Sequence, residues 1–378
     1  MKTQRASVIP YVIARQPWGM LIPLFLLVAF GAAVLFSAAG GSMQPYASSH
    51  VIRFCVALII AMVITALPRD LVRFLTYPVY IVVFVMLVGV EIMGALRGGS
   101  QRWLDLGFMN LQPSELMKPV IVVTLAQFYS SLPLSMVTNW RALIVPGALV
   151  ALPVSLVLMQ PDLGTSLAIV FGGGVVMLLA GLPMRWFVGA GLSALAAAPL
   201  LFYFGLKDYQ QRRILTMFDS EADALGDGYH IAQSKIAIGS GGIFGKGFNN
   251  GSQSHLQYLP EPHTDFVFAT MAEEWGLVGG LFVLAVFSLI LRWGLKVARE
   301  SQDRFSSLLA AGMSATIFFY VAVNLMMVMG MAPVVGIPLP FMSHGGSSML
   351  TNMICIGALM MVNRWNQNAP RGGFARGT

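Results

Sequence analysis

Ten apolar stretches of about 20 residues follow one another along the chain, centred near residues 28, 59, 83, 121, 150, 173, 194, 281, 317 and 354. Crossing about 30 Å of hydrocarbon takes roughly 20 helical residues, and a helix is preferred because it satisfies its own backbone hydrogen bonds there. With 57% hydrophobic and only 10% charged residues over 378 positions, and a mean hydropathy of +0.74, the composition excludes a soluble globular protein. No linker or low-complexity tract marks a second folding unit. The expectation is one all-α polytopic membrane domain over residues 1–378, with about ten transmembrane helices and a large extracytoplasmic loop, residues 206–264, between helices 7 and 8.

A pI near 9.6 invites a nucleic-acid reading, but no basic cluster is dense enough to hold a polyanion. An even number of spans puts both termini on one side, and that side carries most of the 23 Lys and Arg residues. Most of the others fall in the long loop, which the positive-inside bias does not govern. Both termini are therefore expected in the cytoplasm. The basic start followed by Gly19 to Ala39 has the shape of a cleavable signal peptide, yet losing it would invert the charge bias of every later loop, so it reads as the first span. Cys55 and Cys355 lie inside predicted spans without ligand spacing and read as small core hydrophobes.

Polar chemistry concentrates in three outer segments, residues 95–113, 206–264 and 331–346, which are expected to converge on one outward-facing site. The first, LRGGSQRWLDLGFMNLQPSE, alternates Trp103, Leu104, Leu106 and Phe108 with Arg102 and Asp105, as suits a short amphipathic piece at the interface. Trp103 reads equally as an aromatic-belt residue and as a substrate contact. Gln112-Pro113 opens a helix with proline at its first position, and Gln160-Pro161 repeats that start. Each copy sets a carboxylate, Glu115 or Asp162, where the helix dipole favours it. Glu115 and Lys118 are three apart and share a helix face. Each buried charge costs about 2.5–3.5 kcal/mol on insertion scales, so the two either neutralise each other or line a hydrated cavity, where Lys118 would meet an anionic headgroup.

Residues 236–265 hold six glycines, two histidines, Lys246, Glu261 and Asp265. GYHIAQSKIAIGSGG is expected to form a short helix ending at the glycines, with Ile231, Ile236 and Ile238 buried. The run GSGGIFGKG has enough glycine to bring backbone N–H groups and Lys246 to a phosphate, although it is not a P-loop and reads equally as a flexible turn. Asp265 opens the apolar run FVFATMAEEWGLVGG. A carboxylate at that boundary is suited to general-base work, and Asp is also a preferred helix cap. His263 is the other candidate base. Finally, PVVGIPLPFMSHGGSSM interrupts an apolar region with three prolines and three glycines. Broken backbone of this kind belongs beside a cavity, with Ser343, His344 and Ser347 facing it.

Taken together, QRWLDLG (101–107), QPSELMK (112–118), QPDLGTS (160–166), GYHIAQSKIAIGSGGIFGKG (228–247), LPEPHTDFVFATMAEEWGLVG (259–279) and PVVGIPLPFMSHGGSS (333–348) resemble the SEDS family of bacterial cell-wall synthases. The RWLDLG and QSKIAIGSGG forms are similar to its rod-shape branch rather than its division branch. The chain departs from the family's usual forms at His344, which replaces the tyrosine of SYGG, and at Pro262, which replaces the arginine of ERHTDF. These changes remove an aromatic hydroxyl and a basic contact.

The resemblance implies a peptidoglycan glycosyltransferase of the bacterial inner membrane that polymerises lipid II at the outer face during elongation. It implies Asp265 as the essential aspartate and general base, in an inverting transfer. Arg102, Trp103, Glu115, Lys118, Asp162, Lys246, His263 and Ser343 are the candidate substrate-binding residues. A divalent cation, Mg or Mn, is a candidate for the departing diphosphate, with Asp265 as its suggested ligand. A class B penicillin-binding protein and other elongation-complex proteins are the implied partners. The competing readings are a lipid-linked precursor flippase and a scaffold that activates such a partner. The topology is testable by fusions: alkaline phosphatase inserted after Ser220 is expected to be active, and the same enzyme fused after Thr378 inactive. The reverse pattern would overturn the orientation.

Overall fold

The structure is a computed structural model and describes residues 16–93, 95–97, 100–105, 110–205, 210–211, 215, 227–256, 258–259 and 261–368. In chain order the elements are α1 (Trp18–Ala38), α2 (Tyr46–Ala66), α3 (Arg69–Met93), β1 (Ala95–Arg97), β2 (Ser100–Asp105), β3 (Asn110–Leu111), α4 (Pro113–Ser131), α5 (Leu134–Val137), α6 (Arg141–Met159), α7 (Leu163–Leu179), α8 (Met184–Leu200), α9 (Asp227–Gly241), α10 (Ser252–His255), α11 (Val267–Glu300), α12 (Arg304–Val328) and α13 (Gly346–Asn368). A π-helical turn, Leu201–Gly205, follows α8. The ten longest of these apart from α9 coincide with the ten apolar stretches. Seven are long and apolar enough to cross a membrane, while α7 and α8 are apolar but shorter, and α4 carries Glu115 and Lys118.

The helices show why a chain apolar on every side packs in a defined way. On α2 the buried residues are Ala47, His50, Phe54, Ala57 and Ala61, spaced as one helical face, whereas Ile52, Val56, Ile59 and Val63 are exposed. The buried face meets α13, and a Cβ on Gly357 would stand only 2.9 Å from the Ala61 Cα. Small residues let two backbones approach, which is how helices associate where lipid is as apolar as the side chains. Helix α12 is central, packing on α4, α7, α11 and α13.

Three expectations need correction. The segment after α3 is a small antiparallel sheet in the order β1-β2-β3, with Trp103 opposite Ala95 and Leu104 opposite Leu111. The segment expected as an amphipathic interfacial piece is thus held by strand pairing. Cys55 is exposed on the outer side of α2, and only Cys355 is buried. The short helix before the glycines forms as α9 and buries Ile231, Ser234 and Ala237, but Ile236 points outward and is 50% exposed. The inward stripe runs at spacings of three, which Ile236 does not share.

The glycine run has a structural job. Helix α11 is broken at Gly276 (φ 60°, ψ −156°), which deprives the residues around the break of helical partners. The loop after α9 supplies them: Lys246 and Gly247 N–H donate to the Glu273 and Glu274 carbonyls at 3.0 Å each, and Leu277 and Val278 N–H donate to Gly242 and Ile243 at 2.9 and 3.1 Å. The amides expected to face a phosphate are therefore engaged with α11. Such proximity excludes side chains, since a Cβ on Gly245 would lie 2.0 Å from the Glu274 carbonyl oxygen. Gly245→Ala is expected to destabilise the protein by about 3 kcal/mol, the upper end for overpacking. The readout is the melting temperature in detergent, and an unchanged value would contradict this packing.

Candidate active site at the Asp265 loop

Asp265 ends a short non-helical stretch before α11, and the helix cap is Phe266, one residue later, without a side-chain cap bond. The N-cap position open to Asp265 from sequence is thus held by its neighbour Phe266. Its stretch is held by its own carbonyls. Thr270 Oγ1, on the first turn of α11, donates to Pro262 O at 3.2 Å. The His344 N–H donates to His263 O at 2.8 Å, and Asn324 Nδ2, from α12, donates to Asp265 O at 2.9 Å. The first turn of α11 and two elements distant in sequence therefore place one half-buried aspartate. Its Oδ2 lies over Gly336, where a Cβ would stand 3.5 Å away.

The imidazoles nearby are poor bases. His263 stacks on Tyr46 with ring centroids 3.9 Å apart, and its Nε2 is 3.5 Å from the Glu261 carboxylate. Burial lowers its pKa below the usual histidine value despite the opposing pull of Glu261. His344 is brought down to about 4 by burial, then by Arg53 and His263, and Arg53 Nη1 lies 3.0 Å from its Nε2. Both shifts favour the neutral imidazole, and a lowered pKa makes His263 a weaker proton acceptor than a free histidine.

Glu115 and Lys118 do meet, three residues apart on α4, with Lys118 Nζ 2.6 Å from Glu115 Oε1. The same ammonium donates to the Tyr320 hydroxyl at 2.7 Å, which in turn donates to Glu115. Lys118 is 1% exposed and Tyr320 fully buried, so mutual neutralisation in the core is the arrangement found. Asp162 caps α7, accepting from Thr165 N at 3.0 Å. It also accepts from Gln112 Nε2 at 3.1 Å, so the two Gln-Pro repeats join each other.

Lys246 pairs with Glu273 at 2.6 Å, and the same carboxylate accepts from Ser252 and from Gln253 N. Glu274, its neighbour, accepts from Ser37. Ser343 Oγ accepts from Leu339 N at 2.8 Å and closes a turn. Trp103 lies half-buried on β2, and the Arg102 side chain falls outside the described residues. So do residues 216–226, where the loop turns acidic.

Two of the three outer segments converge at Asp265, and the third reaches α13 through β3. Among the described residues no group of three or more His, Cys, Asp or Glu is placed to hold a metal ion. Glu115 and Asp162 are engaged as above, so the oxygen ligands suggested for Mg or Mn are not assembled into one set. Sequence reasoning passed over Asn324, Tyr320 and Arg53. Asn324 and Tyr320 are the polar positions of an apolar helix four residues apart, a spacing that sets them on one face and was the available signal.

The chain matches the cell cycle protein family of FtsW, RodA and SpoVE over residues 17–368. It is 41% identical to the peptidoglycan glycosyltransferase MrdB of Escherichia coli over 349 residues, covering 91% of this chain and 92% of that one. Among solved structures it is similar to a chain from work on the coordination of polymerization and crosslinking by a peptidoglycan synthase complex. That match has a TM-score of 0.81 and 31% identity, over 94% of this chain and 99% of the other. It is also similar to the rod shape determining protein RodA of Thermus thermophilus, with a TM-score of 0.70 and 29% identity over 93% and 97% of the two chains.

Removing Lys118 would leave a carboxylate and a phenol in the core without their cation. Lys118→Ala is expected to cost about 3–5 kcal/mol, and Lys118→Met combined with Glu115→Gln to cost less than that single change. Thermal melts of both proteins in detergent decide this, and a single variant as stable as wild type would contradict the buried pair.

Proposed function

We infer that this chain, which belongs to the FtsW/RodA/SpoVE family, is a peptidoglycan glycosyltransferase that polymerises lipid II during cell elongation. It is a multi-pass protein of the bacterial inner membrane, and it works with a penicillin-binding protein that crosslinks the strands it makes. The further reading is that both termini are cytoplasmic and that transfer occurs at the outer face, with Asp265 as general base. One observation carries that role. The Asp265 carboxylate sits on a loop whose carbonyls are fixed by three separate elements, outside the cap position that would have explained it structurally.

Asp265 takes the proton of the acceptor sugar hydroxyl as that oxygen forms its bond to the anomeric carbon. The bond to the diphosphate breaks on the opposite face, and its electron pair leaves with the undecaprenyl diphosphate. An α-linked donor thus gives a β-linked product in one displacement, without a covalent sugar intermediate. The charge on the leaving group calls for positive charge already in place. Lys118 and Lys246 each have a carboxylate at 2.6 Å, so their contribution is partly offset, and Arg102 is the third suggested cation. Trp103 and Ser343 belong to the walls of the same reading. A Mg or Mn ion would supply further positive charge to the diphosphate.

The test is polymer formation from lipid II by the purified chain in detergent. Wild type is expected to make glycan strands, and Asp265→Asn to lose at least about 100-fold in rate, the low end for a positioned base, while still binding lipid II. Activity of Asp265→Asn at the wild-type level would reject the base. Wild type that transports lipid II across vesicles without polymerising it would favour a flippase. Synthesis that depends only on the partner's active-site residues would favour a scaffold.

A further inference from the structure

We propose that Asn324 is the positioning residue for the Asp265 carboxylate, a role that rests on Asp265 being the base. Asn324 is fully buried on α12. Its single Nδ2 group makes two bonds, to Asp265 O at 2.9 Å and to Ile337 O at 2.7 Å. The second bond matters because Ile337 follows Gly336, over which the Asp265 Oδ2 lies. One amide therefore fixes both the backbone from which the carboxylate projects and the backbone against which it rests. Gly336 suits that support: its φ of +68° favours glycine, and a side chain there would stand 3.5 Å from the carboxylate oxygen.

The chemistry explains why an amide serves here. Two carbonyl oxygens converge on one point and need a neutral group with two N–H donors, which Asn has. An aspartate of the same shape has none, and when ionised would set its charge against both carbonyls. The Asn324 Oδ1 is buried without a hydrogen-bond partner among the described residues, so its hold on the site is made by donation. A base displaced by about 1 Å loses on the order of 100-fold in rate, so the amide acts on turnover rather than on substrate capture.

The experiment uses the full chain in detergent with lipid II, comparing wild type, Asn324→Asp, Asn324→Ala and Gly336→Ala, with Asp265→Asn as control. Both Asn324 variants are expected to lose roughly 100-fold in kcat with KM within about two-fold. In Asn324→Asp the acid limb of the kcat profile should also move to higher pH, since a second carboxylate raises the pKa of Asp265; a merely structural role would lower the amount of folded protein and leave the kcat-to-KM split of the folded fraction unchanged. Wild-type kcat and pH profile in Asn324→Asp overturns the proposal. Should the Asn324 variants fail to fold, Gly336→Ala decides, because at φ +68° an alanine strains the backbone on which the carboxylate rests. A fall in its kcat at constant KM supports the positioning, and an unchanged kcat overturns it. An active Asp265→Asn removes the base reading itself, whereas an inactive Asp265→Asn beside an active Asn324→Asp rejects the positioning alone.

Discussion

Backbone that leaves a helix inside a membrane protein must find its hydrogen-bond partners in the protein, because lipid offers none. That constraint organises the functional half of this molecule. Helix α11 breaks at Gly276, and the glycine loop after α9 supplies both donors and acceptors to the exposed turn. At the start of the same helix, the carbonyls of Pro262, His263 and Asp265 are met by Thr270, His344 and Asn324. Irregular backbone is affordable at these points only because neighbouring elements close the account, and that is also what holds a carboxylate in place.

Charge follows a parallel rule. Burying an ion is tolerable when it is paired or hydrogen-bonded, and three interior carboxylates show this. Glu115 is held by Lys118 and Tyr320, Glu273 by Lys246, and Asp162 by Thr165 and Gln112. The consequence for function is selective. Of the candidate substrate-binding residues, Glu115, Lys118, Asp162 and Lys246 are engaged with other parts of the fold, whereas the loop of Asp265 is held through its backbone carbonyls. Tyr320 and Asn324, one turn apart on α12, connect the two groups: the first faces the Glu115–Lys118 pair and the second the Asp265 loop.

The ten apolar stretches, the shared face of Glu115 and Lys118, the proline opening α4 and the polar-to-apolar boundary at Asp265 were all legible in the sequence. Each is local, resting on a run, a spacing of three or a terminal residue, and local patterns survive folding. The readings that changed depended on a partner far along the chain. Lys246 had a glycine-rich setting in common with phosphate loops, but its carboxylate lies 27 positions away on another helix. Ile236 was apolar and close to Ile231, yet helical phase, not apolarity, decided that Ser234 and Ala237 face inward. The amphipathic character of residues 100–105 was visible, while the strand they form needed a pairing partner to exist.

Sequence alone determined that this chain is a helical membrane protein, which stretches are apolar enough to cross, and which aspartate stands where apolar and polar backbone meet. Those properties follow from the solvation of consecutive residues and need no knowledge of neighbours in space. Tertiary structure decided which polar groups neutralise one another and which are presented. A hydrogen bond is a matter of ångströms between atoms, and the 59 positions separating Asn324 from Asp265 carry no trace of the 2.9 Å that joins them.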